Sequence, residues 1–90
     1  MPTTTERRSF LTAADEEFAH SHGWLSGPDM GYSTLDLWVN DSGTVHAYPA
    51  VKFGKLTGWV VATFSPGADV PYSYTVRNSG SFRDVIVSCK

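Results

Sequence analysis

The sequence predicts an α+β domain in which one short N-terminal helix packs on an antiparallel meander of four to five strands. Two observations lead to this prediction. Apolar residues recur at helical spacing near the start of the chain, and then mainly at the two-residue period of β-strands. Short runs of turn-forming residues separate the strand segments, which is typical of hairpins.

The chain has 90 residues, enough for one small domain, which we place at residues 9–90. Residues 1–8, MPTTTERR, lead into no apolar stretch and are predicted to form a disordered tail. The longest aliphatic and aromatic run is four residues, at 59–62, so we expect neither a signal peptide nor a membrane span. The single cysteine excludes an internal disulfide. These features predict a cytoplasmic protein.

The predicted helix covers TAADEEFAHSHG, residues 12–23. Thr12 and Asp15 have the spacing of a capping box, in which each residue satisfies a backbone donor of the other. Phe18 and its neighbours one turn away give the helix one apolar stripe. Gly23 supplies the left-handed residue that ends the helix.

The helix also carries two histidines at close spacing, His20 and His22. On a helix these side chains point about 200° apart, so they do not share a metal ion. The third histidine, His46, has no acidic residue at a ligand spacing. The sequence therefore predicts no metal site and no cofactor.

Two strands follow, predicted from the alternation of apolar residues in segments 34–39 and 44–48. A three-residue loop, Asp41-Ser42-Gly43, sets Val39 opposite Val45 and gives Gly43 the position that requires a positive φ. On the opposite face this register forms two cross-strand pairs, Trp38 with His46 and Asp36 with Tyr48.

Three further strands are predicted toward the C-terminus. Residues 58–65, GWVVATFS, are apolar on both faces and indicate a central strand. Residues 70–78 form the next strand, where Pro71 indicates an edge or a strand start. A turn at Ser79-Gly80 leads into FRDVIVSC, residues 82–89, which is predicted as the last strand.

One short helix covers only one face of such a sheet, so aromatic residues on the other face need a different partner. The predicted binding surface consists of Asp36, Trp38, His46, Tyr48, Trp59 and Phe64. The alternative is that a loop, residues 24–33 or 50–57, folds over these side chains. If no loop covers them, two-fold self-association is the simplest solution, and we expect a homodimer.

These features favour a small non-enzymatic module that binds a protein partner or itself. Short chains of this kind often act as accessory or inhibitory proteins that occlude a partner, as in phages and mobile elements. The alternative is binding of single-stranded nucleic acid through aromatic and basic residues of the C-terminal half. Those residues are Lys52, Lys55, Tyr72, Tyr74, Arg77 and Arg83. The net charge of −2 and the lack of a basic cluster count against this alternative.

No nucleophile elbow, zinc-protease motif or phosphate-binding loop occurs in the sequence. The nearest catalytic fragment is His46 with Asp36 diagonally across the predicted hairpin. The simpler expectation is that His46 stacks on Trp38 while Asp36 bonds to Tyr48. We therefore expect no enzymatic activity.

Overall fold

The structure, a computed structural model, describes residues 9–89 and shows two helices and a five-stranded antiparallel sheet. The predicted tail, residues 1–8, lies outside the described residues. The elements follow in the order α1 Ala13–Ser21, β1 Leu25–Ser26, a 3₁₀ helix Pro28–Met30, β2 Trp38–Val39, β3 Val45–Lys52, β4 Lys55–Thr63, β5 Ser73–Arg77 and α2 Phe82–Ser88. The prediction of an N-terminal helix followed by an antiparallel meander is confirmed.

The sheet is a simple meander in which every strand pairs with the next one along the chain. The long hairpin β3–β4 forms its centre, and a shift in pairing between Ala50 and Val51 bends its outer end. Gly58 is needed on β4 because a Cβ atom there would lie 2.2 Å from the carbonyl oxygen of Arg77. β5 can therefore pair closely along β4 down to its last residue.

Helix α1 begins and ends as the sequence predicts. The Asp15 N–H donates to Thr12 Oγ1 at 3.2 Å, and the Thr12 N–H donates to Asp15 Oδ2 at 3.2 Å, which completes the capping box. Gly23 has a φ of 86° and redirects the chain after the helix. The capping residues thus fix where the helix starts, before any packing is considered.

The prediction of a last strand at residues 82–89 is wrong, because this segment is the helix α2. Ser81 and Asp84 form a second capping box: the Ser81 N–H donates to Asp84 Oδ2 at 2.9 Å and the Asp84 N–H to Ser81 Oγ at 3.3 Å. The buried residues of α2, Phe82, Val85 and Ile86, have the spacing of one helix face. This spacing does not fit a strand, in which Val85 and Ile86 would face opposite sides, and the cap fixes where the helix starts.

The predicted β2–β3 register is wrong by one residue. Trp38 lies opposite Ala47 and Val39 lies opposite His46, so the loop has four residues, 41–44. The reason is the side chain of Asn40, whose Oδ1 accepts hydrogen bonds from the N–H groups of Thr44 at 2.8 Å and Val45 at 2.9 Å. A shift of one residue exchanges the two faces of a strand.

The core lies between the sheet and the two helices, which cover the same face. Trp38 and Trp59 project from the sheet toward Phe82 of α2, with ring centroids 5.9 Å and 5.0 Å from it. The helices are joined at the surface, where Arg83 Nε donates to Asp15 Oδ1 at 2.8 Å. The buried core cluster comprises Ala19, Trp24, Trp38, Ala47, Trp59, Val61, Phe82, Val85 and Ile86.

Candidate binding surface

The sheet face away from the helices carries no helix within residues 9–89. Trp38, Ala47 and Val61 face the core, so the alternate residues of the same strands face the other way. We call this surface the open face and define it by His46, Tyr48, Val60, Ala62, Phe64, Tyr74 and Val76. It spans β3, β4 and β5 and the residue that follows β4.

Two tyrosines form a bridge across the middle of the open face. Tyr48 on β3 lies opposite Val60, and Tyr74 on β5 lies opposite Ala62. The two phenol hydroxyls are in hydrogen-bond contact, so the side chains meet above the central strand β4. Val60 and Ala62 are only 8% and 3% exposed, although neither α1 nor α2 packs on this side. The tyrosines thus supply the cover that β4 lacks.

The environment of the bridge makes the Tyr48 phenol a weaker acid. Burial and the hydrogen bond with Tyr74 raise the pKa of Tyr48 to about 12. Burial disfavours the phenolate because the anion loses hydration, and the hydrogen bond raises the pKa because it favours the neutral form of Tyr48. The Tyr48 phenol is therefore neutral at physiological pH.

A second aromatic pair lies beside the bridge. The Phe64 N–H donates to the Thr44 carbonyl at 2.7 Å, which continues the β3–β4 ladder beyond β4. The Phe64 and His46 rings lie 4.5 Å apart between centroids. Burial lowers the pKa of His46 from its usual value of 6.5. The imidazole is accordingly neutral at pH 7, and the open face contains no carboxylate, ammonium or guanidinium group.

The edge of the open face at β5 has the most exposed large apolar side chains of the described strands. Tyr74 is 62% exposed and Val76 is 52% exposed. Tyr72 stands next to this edge, where its N–H donates to the Thr63 carbonyl at 2.9 Å. Adjacent apolar side chains of this size on one surface indicate a contact site.

The structure divides the predicted binding residues between the two sides of the sheet. His46, Tyr48 and Phe64 come together on the open face, whereas Trp38 and Trp59 lie in the core at 1% and 3% exposure. The prediction that Trp38 is on the uncovered face is therefore wrong, and the one-residue register shift is the cause. For Trp59, the side chain faces the helices because it lies opposite Pro49 and alternates with Val60.

Asp36 is also absent from the open face. It is buried, has a φ of 64°, and lies outside the strands. Its carboxylate accepts hydrogen bonds from Ser9 Oγ and from the Phe10 N–H, the latter at 2.8 Å, so it anchors the segment before α1. The predicted contacts of His46 with Trp38 and of Asp36 with Tyr48 are wrong, and no His46–Asp36 acid–base pair forms.

Neither loop that was considered as a cover lies over the open face. Residues 50–57 form the end of β3, a turn and the start of β4, and Phe53 in that turn is fully exposed. Residues 24–33 contain β1 and the 3₁₀ helix beside α1, where His20 Nε2 contacts Asp29 Oδ2 at 2.7 Å. Trp24 turns into the helix-side core.

The residues of the nucleic-acid alternative do not share one surface. Lys52 and Lys55 lie opposite each other at the end of the β3–β4 hairpin. Arg77 is hydrogen bonded to Ser88 of α2, and Arg83 to Asp15 of α1, so both arginines belong to the helix side. Only Tyr72 and Tyr74 combine exposure with a place on or beside the open face.

The helix histidines have separate local roles. The hydrogen bond from His20, together with those from Ser26, lowers the pKa of Asp29 to about 2. His22 stacks on Phe18 with centroids 4.4 Å apart, and its Nδ1 lies 2.9 Å from the Phe18 carbonyl oxygen. Among residues 9–89, no group of three or more potential ligands is placed to hold a metal ion.

Sequence reasoning missed Val76 entirely and assigned Tyr74 only to the nucleic-acid set. The signal was present, because Tyr72, Tyr74 and Val76 alternate along one strand. The predicted strand at residues 82–89 obscures it, because that strand would pair with this one, whereas β5 is the edge of the sheet.

No protein-family model, known protein or solved structure matches this chain. Within the described residues, neither helix has the length and apolar character needed to cross a lipid bilayer. The open face is thus the feature on which a functional proposal can be based.

Proposed function

We propose that this chain is a small non-enzymatic binding module that contacts a protein partner through the open face. The observation that carries the proposal is the uncharged aromatic surface formed by Tyr48, Tyr74, His46 and Phe64 on the helix-free side of the sheet. Aromatic residues are enriched at protein interfaces, and charged residues are depleted at their centres.

The open face is well suited to binding because its side chains are already ordered. The tyrosine bridge and the His46–Phe64 pair hold four rings against the sheet. Rings that are fixed before binding lose little conformational entropy when a partner docks. The phenol hydroxyls also provide donors and acceptors in the middle of an otherwise apolar surface.

The open face is small for a protein interface. On each strand its residues span no more than five positions, as at 60–64 along β4 and the residue that follows it, so three strands give a surface of about 17 Å by about 15 Å, or about 250 Å². A standard interface buries about 800 Å² on each partner. One open face therefore supports a weak, reversible contact, in keeping with an accessory or inhibitory protein that covers a functional surface of its partner.

Site-specific photo-crosslinking in the host cell tests this proposal. A benzophenone amino acid replaces Tyr48, at the centre of the open face, and in a matched control it replaces Val87, which is exposed on α2. We expect a discrete protein adduct from position 48 and none from position 87. Absence of an adduct at position 48, or equal adducts at both positions, would contradict the proposal.

Binding of single-stranded nucleic acid is the second candidate, supported by the exposure of Tyr72 and Tyr74. Fluorescence anisotropy with a labelled single-stranded oligonucleotide distinguishes the two functions. Binding that weakens steeply with salt and is lost in Tyr74→Ala would favour the nucleic-acid function. We expect no such binding, because both C-terminal arginines are bonded to the helices.

A further inference from the structure

The outer edge of β5 presents free main-chain groups, and their identity follows from the hydrogen bonding of the sheet. The Asn40 N–H donates to the Val45 carbonyl at 3.1 Å, and the Phe64 N–H donates to the Thr44 carbonyl at 2.7 Å. Main-chain direction alternates along a strand, so the even-numbered residues of β4 point toward β3 and the odd-numbered residues toward β5.

The same alternation continues into β5. Val61 lies opposite Thr75, and both direct their N–H and C=O groups toward each other. Tyr74 and Val76 therefore direct their N–H and C=O groups away from β4, toward the outer edge of the sheet. No strand pairs with this side of β5 within residues 9–89. The edge thus offers two donors and two acceptors in strand geometry.

This edge carries few of the features that natural proteins use to block strand pairing. Residues 73–77, SYTVR, contain no lysine, no proline and no acidic residue. Pro71 precedes the strand, and the one charged side chain of the strand, Arg77, is hydrogen bonded to Ser88 of α2. The opposite edge of the sheet, β1, has only two residues. Within residues 9–89, β5 is therefore the longer edge along which the sheet can be extended.

We propose that two copies of this chain pair along β5, antiparallel, about a two-fold axis at Thr75. In that register Tyr74 of each copy lies opposite Val76 of the other, and these two pairs form about four main-chain hydrogen bonds. Aromatic residues opposite β-branched residues are favourable cross-strand pairs. Arg77 falls opposite Ser73 of the second copy, so no like charges meet.

The sequence of the edge selects a second copy as the occupant. The Tyr-Thr-Val segment is complementary to itself when reversed, since the aromatic and the β-branched residue flank the central Thr75 symmetrically. An isologous contact of this kind closes after two copies. The two five-stranded sheets then become one continuous sheet with both sets of helices on the same side.

Pairing along β5 also enlarges the surface that is available to a partner. The two open faces become neighbours and together offer about 500 Å², against the roughly 800 Å² that a standard interface uses on each partner. This use of the joined surface rests on the proposed function, whereas the pairing itself does not.

Charge substitution at Thr75 tests the pairing. Its side chain projects to the helix side of the sheet, opposite to Tyr74, so the open face is unchanged. Across the two-fold axis the Thr75 Cα atoms lie about 4.5 Å apart. Two lysines or two glutamates there repel each other, while one lysine and one glutamate attract.

We expect sedimentation equilibrium to show a wild-type dimer whose dissociation constant rises at least tenfold in Thr75→Lys and in Thr75→Glu. An equimolar mixture of the two variants should regain the dimer. The circular dichroism spectrum of each variant shows whether it is folded, so loss of folding is distinguished from loss of the contact. A monomeric wild type at millimolar concentration, or a mixture that remains as dissociated as its components, would overturn the pairing.

Amide hydrogen exchange locates the contact. The Tyr74 and Val76 amides point outward and should become protected as the concentration rises, while the Thr75 amide, bonded to β4, stays protected throughout and serves as reference. Fast exchange of Tyr74 and Val76 at every concentration overturns the pairing. If the protein does not pair along β5 but still crosslinks a partner from position 48, only the pairing is wrong and the proposed function stands. If the protein pairs but gives no crosslink from position 48, only the proposed function is wrong.

Discussion

The hydroxyl groups of Tyr48 and Tyr74 contact each other above β4, although the two residues lie on strands that are not neighbours. Each ring starts from a strand flanking β4, and between them they cover Val60 and Ala62. A sheet face usually needs a helix or a second sheet for such cover. Here the sheet covers itself and leaves a flat aromatic surface toward the outside.

Removal of the Tyr74 hydroxyl should lower the pKa of Tyr48. Burial is the first cause of the raised value, and the hydrogen bond with Tyr74 is the second. In Tyr74→Phe the burial remains and the hydrogen bond is lost, so we expect a pKa between the usual 10.0 and about 12. Absorbance of tyrosinate during an alkaline titration measures it. Tyr72→Phe, the matched control beside β5, should leave the pKa of Tyr48 unchanged.

Substitution of Trp38 by alanine should destabilise the monomer itself. Trp38 is 1% exposed and lies between α1 and α2, where it contacts His20 edge-on and Phe82. Loss of a large buried side chain costs about 3–5 kcal/mol, against a total stability of about 5–15 kcal/mol for a domain. Urea unfolding measures the change. Tyr72→Ala, at an exposed site, should cost less than about 1 kcal/mol, and equal stability of Trp38→Ala and wild type would refute the core position.

The C-terminal helix depends on its cap. Ser81→Ala removes the acceptor for the Asp84 N–H and should cost about 1 kcal/mol. Ser79→Ala, two residues earlier and outside the capping box, is the matched control and should be neutral within about 0.5 kcal/mol. Thermal unfolding compares the two variants. A neutral Ser81→Ala would indicate that residues 82–88 do not form a capped helix.

Acid should weaken the domain first through His46. Burial depresses the pKa of His46 in the folded chain below 6.5, so the unfolded chain binds more protons near that pH. The contribution of His46 is therefore complete above pH 6.5 and is lost as the pH falls through 6.5 toward the folded value. Asp15 contributes to stability in a separate pH range. Its pKa is lowered from 3.8, chiefly by the hydrogen bond from Arg83, so its contribution is lost only as the pH falls below 3.8.

Urea unfolding at about pH 7.5 and about pH 5.5 measures this dependence. We expect His46→Gln to reduce the loss of stability between the two conditions. The control is His22→Gln, which changes an exposed histidine on α1 and should retain the wild-type loss. If His46→Gln and wild type lose the same stability, protonation of His46 is not the cause.

The sequence was sufficient for the features that depend on local chemistry. Thr12, Asp15 and Gly23 fix the limits of α1, and the alternating segments predict an antiparallel meander with aromatic residues on the face away from the N-terminal helix. The same capping pattern at Ser81 and Asp84 was present before α2. The predicted strand rests on the alternation of Val85 and Val87, but on the helix these two side chains point apart, so that Val85 is buried and Val87 is 50% exposed.

The membership of the candidate surface was not predictable in the same way, because it depends on one side chain. The Asn40 side chain accepts hydrogen bonds from the N–H groups of Thr44 and Val45, and the loop is thereby one residue longer than predicted. This shift of one residue in the β2–β3 register places Trp38 in the core and leaves His46 and Tyr48 on the open face. Pairing of apolar residues across the hairpin does not distinguish the two registers, because Val39 lies opposite an uncharged residue in each. That residue is Val45 in the predicted register and His46 in the observed one.

The open face as contact surface is tested most directly by the amide spectrum of the ¹⁵N-labelled protein, titrated with the partner that crosslinks to position 48. We predict that chemical shifts change for residues of the open face on β3, β4 and β5, and stay unchanged on the exposed sides of α1 and α2. Changes confined to α1 and α2, with His46 and Tyr74 unaffected, would contradict it.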